Sequence, residues 1–141
     1  MSSVEDILMV KGPDVVVAGP DNTVEQAAKM MCQANVGSVI VKDDGAIAGI
    51  FTERDMLARV VAKGLDPKTV KLLDVMSSPV KTCTLDDSVE SCVESLEQQH
   101  IRRLVVVDDG VLIGVIGTSD VMHAQLATNA KHIEELERLL N

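Results

Sequence analysis

The stretch "GIFTERD", Gly49 to Asp55, returns as "GVIGTSD", Gly114 to Asp120, 65 residues later. Each copy starts as an apolar extended run. Each ends in a polar turn and an Asp six residues after the Gly. Ile50 and Phe51 belong to a strand. Thr52 and Asp55 have the Thr-x-x-Asp spacing of a capped helix start, where a carboxylate and a hydroxyl satisfy unpaired backbone N–H groups. Both copies therefore predict a strand that runs straight into a helix.

The offset of 65 holds well beyond the motif. Residues 21–55 lie on 86–120 without a gap, and 10 of these 35 positions are identical. Upstream, "NTVE" (22–25) matches "DSVE" (87–90). Asn22 and Asp87 are read as N-caps, with Glu25 and Glu90 three residues on. Val24, Ala27, Ala28 and Met31 then recur at helical spacing, as do Val89, Cys92, Val93 and Leu96. Between helix and motif, "SVIVKDDGAIAGIF" (38–51) and "RLVVVDDGVLIGVI" (103–116) are β-branched runs around Asp-Gly, the signal of a tight hairpin. Short extended pieces precede each unit at 14–18 and 79–83. Each repeat thus reads strand, helix, strand, strand, helix.

This gives an α+β fold of two β-α-β-β-α units, related by a pseudo-twofold axis and packed sheet to sheet. The expected divisions are 1–66 for the first unit, 67–128 for a linker helix and the second unit, and 129–141 for a helical extension. Within 67–79, "LLDVM" is a short helix, and "VEDIL" (4–8) is its counterpart. In the extension, Ile133, Leu136, Leu139 and Leu140 share one helical face.

Bulk composition narrows the function. The chain has 141 residues and a net charge of −9. That charge repels duplex nucleic acid and anionic membrane. Aromatic residues are 1% of the chain, Phe51 alone, so base stacking on aromatic platforms is excluded. Cys32, Cys83 and Cys92 are an odd number without a Cys-x-x-Cys spacing, which fits reduced thiols in a cytoplasmic protein. The N-terminus lacks a signal-peptide pattern, and no apolar run approaches the ~20 residues of a membrane span. His100, His123 and His132 have no metal-ligand spacing. No nucleophile has an evident base partner and no Gly-rich phosphate loop occurs. Neither a metal site nor catalytic residues are expected.

The duplicated unit resembles a tandem CBS-domain pair, the Bateman module named after cystathionine β-synthase. "VGSVIVKDDGAIAGIFTERDML" (36–57) and "IRRLVVVDDGVLIGVIGTSDVM" (101–122) are similar to that family's central signature. The likeness covers roughly residues 4–128 and leaves no catalytic domain over. It implies a regulatory protein, not an enzyme, that binds AMP, ADP, ATP or a related adenosyl ligand in clefts between the units, with no required cofactor. It also implies a homodimer through the second helix of each repeat and an unidentified partner protein that receives the signal. An adapter whose clefts stay empty is the alternative.

Carried over residue by residue, the resemblance makes Asp55 and Asp120 hooks for ribose hydroxyls and Thr52 a ribose or phosphate contact. Gly117 stands where the second copy should carry that hydroxyl, with Thr118 and Ser119 beside it. Arg54 and Arg103 are the expected phosphate cations. In "RRLVVVD" (102–108), Arg103 matches the Arg of a His-Arg pair in nucleotide-sensing kinase regulatory subunits, while Arg102 replaces the His. Val36 and Ile101 are the expected adenine contacts.

Overall fold

The computed structural model describes residues 2–12 and 15–140. Two compact units are present, one formed by Val15–Val80 and the other by 81–140 together with 2–12. Each contains a three-stranded mixed sheet with helices, so the chain is α+β.

In the first unit, β1 (Val17–Ala18) pairs parallel with β2 (Ser38–Asp43), which pairs antiparallel with β3 (Ala46–Thr52). The second unit repeats the order with β4 (Thr82–Cys83), β5 (Arg103–Asp108) and β6 (Val111–Gly117). The Asp-Gly signal is read correctly in both. Asp44 and Gly45 have φ of 51° and 81°, and Asp109 and Gly110 have 53° and 79°. Positive φ at both central residues matches the turn's twist to that of the strands.

Helices α2 (Val24–Ala34) and α5 (Val89–Gln99) bury Val24, Ala27 and Met31 in one unit and Val89, Cys92 and Leu96 in the other. Their caps differ from the sequence reading by one residue. Thr23 and Ser88 are the N-caps, accepting from the backbone N–H of Gln26 and Ser91. Asn22 and Asp87 tie the preceding turns instead, accepting from Gly19 N at 2.7 Å and Thr84 N at 2.8 Å. Both arrangements satisfy a loose backbone donor; a short polar side chain serves either, and the adjacent hydroxyl takes the helix.

The remaining helices are α1 (Val4–Lys11), α3 (Glu53–Asp55, widening into a π-helix over Met56–Val61), α4 (Leu72–Val75) and α6 (Thr118–Leu140). Helix α1 packs on the second unit and α4 on the first. Each short helix joins the sheet that buries its apolar side, not the nearest one along the chain. The two helices are counterparts at an offset of 68. Val4 and Leu72 are wholly buried, and Leu8 and Met76 each meet a sheet glycine. Ser3 bridges to Ser88 as Lys71 bridges to Thr23. Val4 N donates to Asp87 O at 2.9 Å, and Leu72 N to Asn22 O at 2.9 Å.

Gly49 and Gly114 are required by this close approach. A Cβ on Gly49 would lie 2.6 Å from Met76 Sδ and 2.8 Å from the Ser77 carbonyl. A Cβ on Gly114 would meet only the Leu8 side chain, at 3.0 Å. Backbone yields less easily than a leucine tip. Gly49→Ala should therefore cost about 1–3 kcal/mol, and Gly114→Ala distinctly less, in urea denaturation of the two variants.

Cys83 and Cys92 are buried in the core of the second unit, whereas Cys32 is exposed. The Cys83 thiol is pushed up by its hydrogen bond with Cys92 and by burial. Since the thiolate is the reactive form, a chromogenic disulfide reagent should titrate Cys32 rapidly in the native protein. Cys83 should react only on unfolding; fast modification of all three thiols would contradict this core.

Candidate functional site

Thr52 ends β3 and caps α3. Its hydroxyl accepts from Asp55 N at 3.1 Å, while Asp55 Oδ2 accepts from Thr52 N at 3.0 Å and from Thr52 Oγ1 at 3.1 Å. Two backbone donors at the helix start are thereby satisfied by two side chains. Asp55 is 8% exposed. Its other oxygen, Oδ1, accepts from Ser77 Oγ at 3.0 Å and lies 3.7 Å from Arg59 Nε. Arg59 also donates to the carbonyls of Val75 and Met76, at 3.2 and 2.7 Å, closing the end of α4. One carboxylate thus joins β3, α3 and the segment after α4.

The second turn uses the same backbone with different chemistry. Gly117 N donates to Asp120 Oδ2 at 2.7 Å. Thr118 N donates to Arg102 O at 3.0 Å, as Glu53 N does to Gly37 O at 3.1 Å. The cap hydroxyl is missing at Gly117. Lys11, from α1, takes up the same carboxylate oxygen: its Nζ lies 2.9 Å from Asp120 Oδ2 and 2.6 Å from the Val115 carbonyl. Among the described residues no hydrogen bond reaches Asp120 Oδ1. Asp120 therefore keeps acceptor capacity that Asp55 has largely spent.

A pocket of about 310 Å³ opens beside Asp120, between α1 and α6. Asp6, Val10, Lys11, His123 and Ala127 contribute to its lining. Its size is at the lower end of small-molecule sites.

The other expected residues are spread around these turns. Arg54 is exposed on the first turn of α3. Arg103 is half-buried at the start of β5, and its Cγ lies 3.8 Å from where a Gly117 Cβ would stand. Thr118 is exposed at the start of α6. Val36 and Ile101 are partly buried against the cores of their respective units. Thr52, Arg54 and Asp55 thus meet at one turn. Arg103, Thr118 and Asp120 surround the other. No group of three His, Cys, Asp or Glu side chains suited to a metal occurs among the described residues.

Two residues were not visible as site members in the sequence. Lys11 lies 109 positions from Asp120, and Ser77 lies 22 from Asp55. The helix pairing at offset 68 is the signal that would have brought α1 to the second turn.

The CBS-domain family profile matches residues 4–62 and 72–127. The chain belongs to the CBS-domain family. A CBS domain-containing protein of Bacillus subtilis is 32% identical over 130 residues, covering 92% of this chain and 90% of the relative. A mitochondrial CBS domain-containing protein of Arabidopsis thaliana is 33% identical, covering 98% and 70%. Among solved structures, a CBS-domain protein of Agrobacterium tumefaciens superposes with a TM-score of 0.81 at 33% identity, covering 88% and 99%. One from Burkholderia ambifaria, named for signal transduction, reaches 0.84 at 29%, covering 89% and 95%. Among the described residues no helix is long and apolar enough to cross a membrane.

Removing the Thr52 hydroxyl removes a helix cap and one of the bonds to a buried carboxylate. Thr52→Ala should cost about 1–2 kcal/mol in urea denaturation. Lys11→Met breaks a half-exposed pair and should cost about 1 kcal/mol or less.

Proposed function

We propose that this protein is a regulatory sensor of an adenosine-containing ligand, AMP, ADP, ATP or an adenosyl relative, and that it performs no chemistry of its own. The observation that carries this is the pair of carboxylates at matching strand-to-helix turns. A helix N-terminus presents backbone N–H groups and favours negative charge, as a phosphate requires. A carboxylate beside it is an acceptor suited to a vicinal diol. Thr52, Arg54, Asp55 and Val36 form one contact set; Arg103, Thr118, Asp120 and Ile101 form the other.

The two turns would bind differently. Asp55 must share or exchange its bonds with Thr52 and Ser77 to accept a ribose. Asp120 has Oδ1 available and Lys11 alongside, a cation that offsets the missing hydroxyl at Gly117. The second turn is then the more readily occupied, with Lys11 turning from Asp120 toward phosphate.

A homodimer fits the exposed second helices. Leu57 and Val61 correspond to Met122 and Leu126 at the offset of 65, and all four are more than half exposed. Apolar residues left outside in both repeats mark a surface that a partner covers. The second reading, a ligand-free adapter, draws on the full engagement of Asp55 within its own unit.

Thermal unfolding with AMP, ADP, ATP, NAD and S-adenosylmethionine separates the readings. A ligand at 100-fold over Kd adds about 2.7 kcal/mol and should raise Tm by a few degrees. No shift with any of them at millimolar concentration would favour the adapter. Asp120→Ala should abolish binding at the second turn, and Lys11→Met should weaken ATP more than adenosine. Gly117→Ser has room, because a Cβ there meets nothing nearer than 3.6 Å. It should tighten binding while changing stability by only a few tenths of a kcal/mol.

A further inference from the structure

Helix α6 continues well past its last buried residue. Val121 is buried, yet every residue from 125 to 140 is exposed. Along it, Met122, Leu126, Asn129, Ile133, Leu136 and Leu140 recur at alternating intervals of four and three. That is the a/d spacing of a coiled coil. The five apolar members of this seam are between 47% and 86% exposed. Lys131, Glu134, Glu135 and Arg138 occupy other positions, and Arg138 Nη2 meets Glu134 Oε1 at 3.4 Å along the helix. The charges therefore lie off the seam, as they do on the outer face of a two-stranded coil.

We propose that the seam from Met122 to Leu140 pairs with the same seam of a second copy, as a parallel, in-register coiled coil. Three features select this occupant. The heptad spacing is self-complementary, so an identical helix supplies the matching knobs and holes. Asn129, the one polar residue of the seam, would face Asn129 of the partner subunit, and its amide can both donate and accept. His132 at a g position lies five residues before Glu137 at an e position, the interval at which g and e residues of parallel strands meet. A short coil is marginal in isolation because the first helical turn is costly. Here that turn is already fixed by the Asp120 bond to Gly117 N, and the folded unit anchors the seam. The pairing stands apart from nucleotide binding and does not depend on it.

The test uses the full chain with the exposed Cys32 replaced by Ser. In that background Asn129→Cys should form an intermolecular disulfide in a glutathione redox buffer, because equivalent d positions face each other only in the parallel, in-register pair. Lys131→Cys, off the seam, should remain largely monomeric on a non-reducing gel. Leu136→Glu should weaken self-association at least tenfold by sedimentation equilibrium, with the Tm of the folded units unchanged. Persistence of the Asn129→Cys disulfide when Leu57→Glu is added separates a contact through α6 alone from a dimer that also needs the second helix of the first repeat. Four results would each overturn the proposal: no disulfide in the Asn129→Cys variant, an equal yield from Lys131→Cys, undiminished association of Leu136→Glu, or loss of the Asn129→Cys disulfide on adding Leu57→Glu.

Discussion

A carboxylate that folds back on the strand it follows sets the form of both repeats. Thr52 N to Asp55 Oδ2 is 3.0 Å, and Gly117 N to Asp120 Oδ2 is 2.7 Å. The bond turns a strand into a helix without a connecting loop, since the last strand residue is already the cap. The helix start must then lie at the end of the sheet, with its N–H groups gathered near a single anion. Local folding energy and the proposed ligand site would draw on the same few atoms. Capping and ligand binding are for this reason not rival descriptions of the Asp residues. A ligand here would work by altering bonds that already hold a helix in place, which is a direct route from occupancy to conformation.

The second constraint is the close passage of a short helix over a sheet glycine. Met76 over Gly49 and Leu8 over Gly114 bring α4 and α1 within reach of the two carboxylates. What each helix brings there differs. The segment after α4 brings Ser77, a neutral donor, and frees Arg59 to close the helix end. Helix α1 brings Lys11, a charge. The duplication has thus kept its backbone while the polar environment of each Asp has diverged. Asp55 is held by the Thr52 N–H and two hydroxyls with Arg59 alongside, and Asp120 by the Gly117 N–H and Lys11. Short hydroxyl and backbone donors that engage both oxygens favour a fixed structural carboxylate. A lysine with a long, rotatable stem can leave a carboxylate and follow a phosphate.

The repeat was legible in the sequence because its signals are local. Asp-Gly forces its turn wherever it occurs between β-branched runs, and a stripe at helical spacing announces its buried face. The cap positions were misread by one residue because Asn22 and Thr23 are both good caps, as are Asp87 and Ser88. Only the hydrogen-bond geometry tells which one takes the helix and which one takes the turn before it. Lys11 and Ser77 escaped for a different reason. Their partners are fixed by which glycine each short helix crosses, a long-range pairing that leaves no periodic mark. The offset of 68 is already present in the pairing of "VEDIL" with "LLDVM"; what the sequence does not show is which sheet glycine each helix crosses.

The asymmetry between the repeats bears on what kind of signal the protein can carry. Two equal sites would report one concentration. In the proposed sensor, a locked carboxylate and a lysine-tended one would respond to different features of a ligand. At the first turn, binding would compete with Ser77 and the cap hydroxyl, so the ribose would have to contribute most. At the second, it would recruit Lys11, so the phosphate charge would contribute more. A ligand series differing only in phosphate number would therefore act through α1 at the second turn. Because α1 is also held by Val4, Ile7 and Leu8 in the core and by the Val4 N bond to Asp87 O, moving that lysine would loosen one polar contact and leave the apolar ones in place. Loss of the ion pair would then free only the C-terminal end of α1, while its buried face stays packed, so a phosphate that drew Lys11 away would act locally on that end.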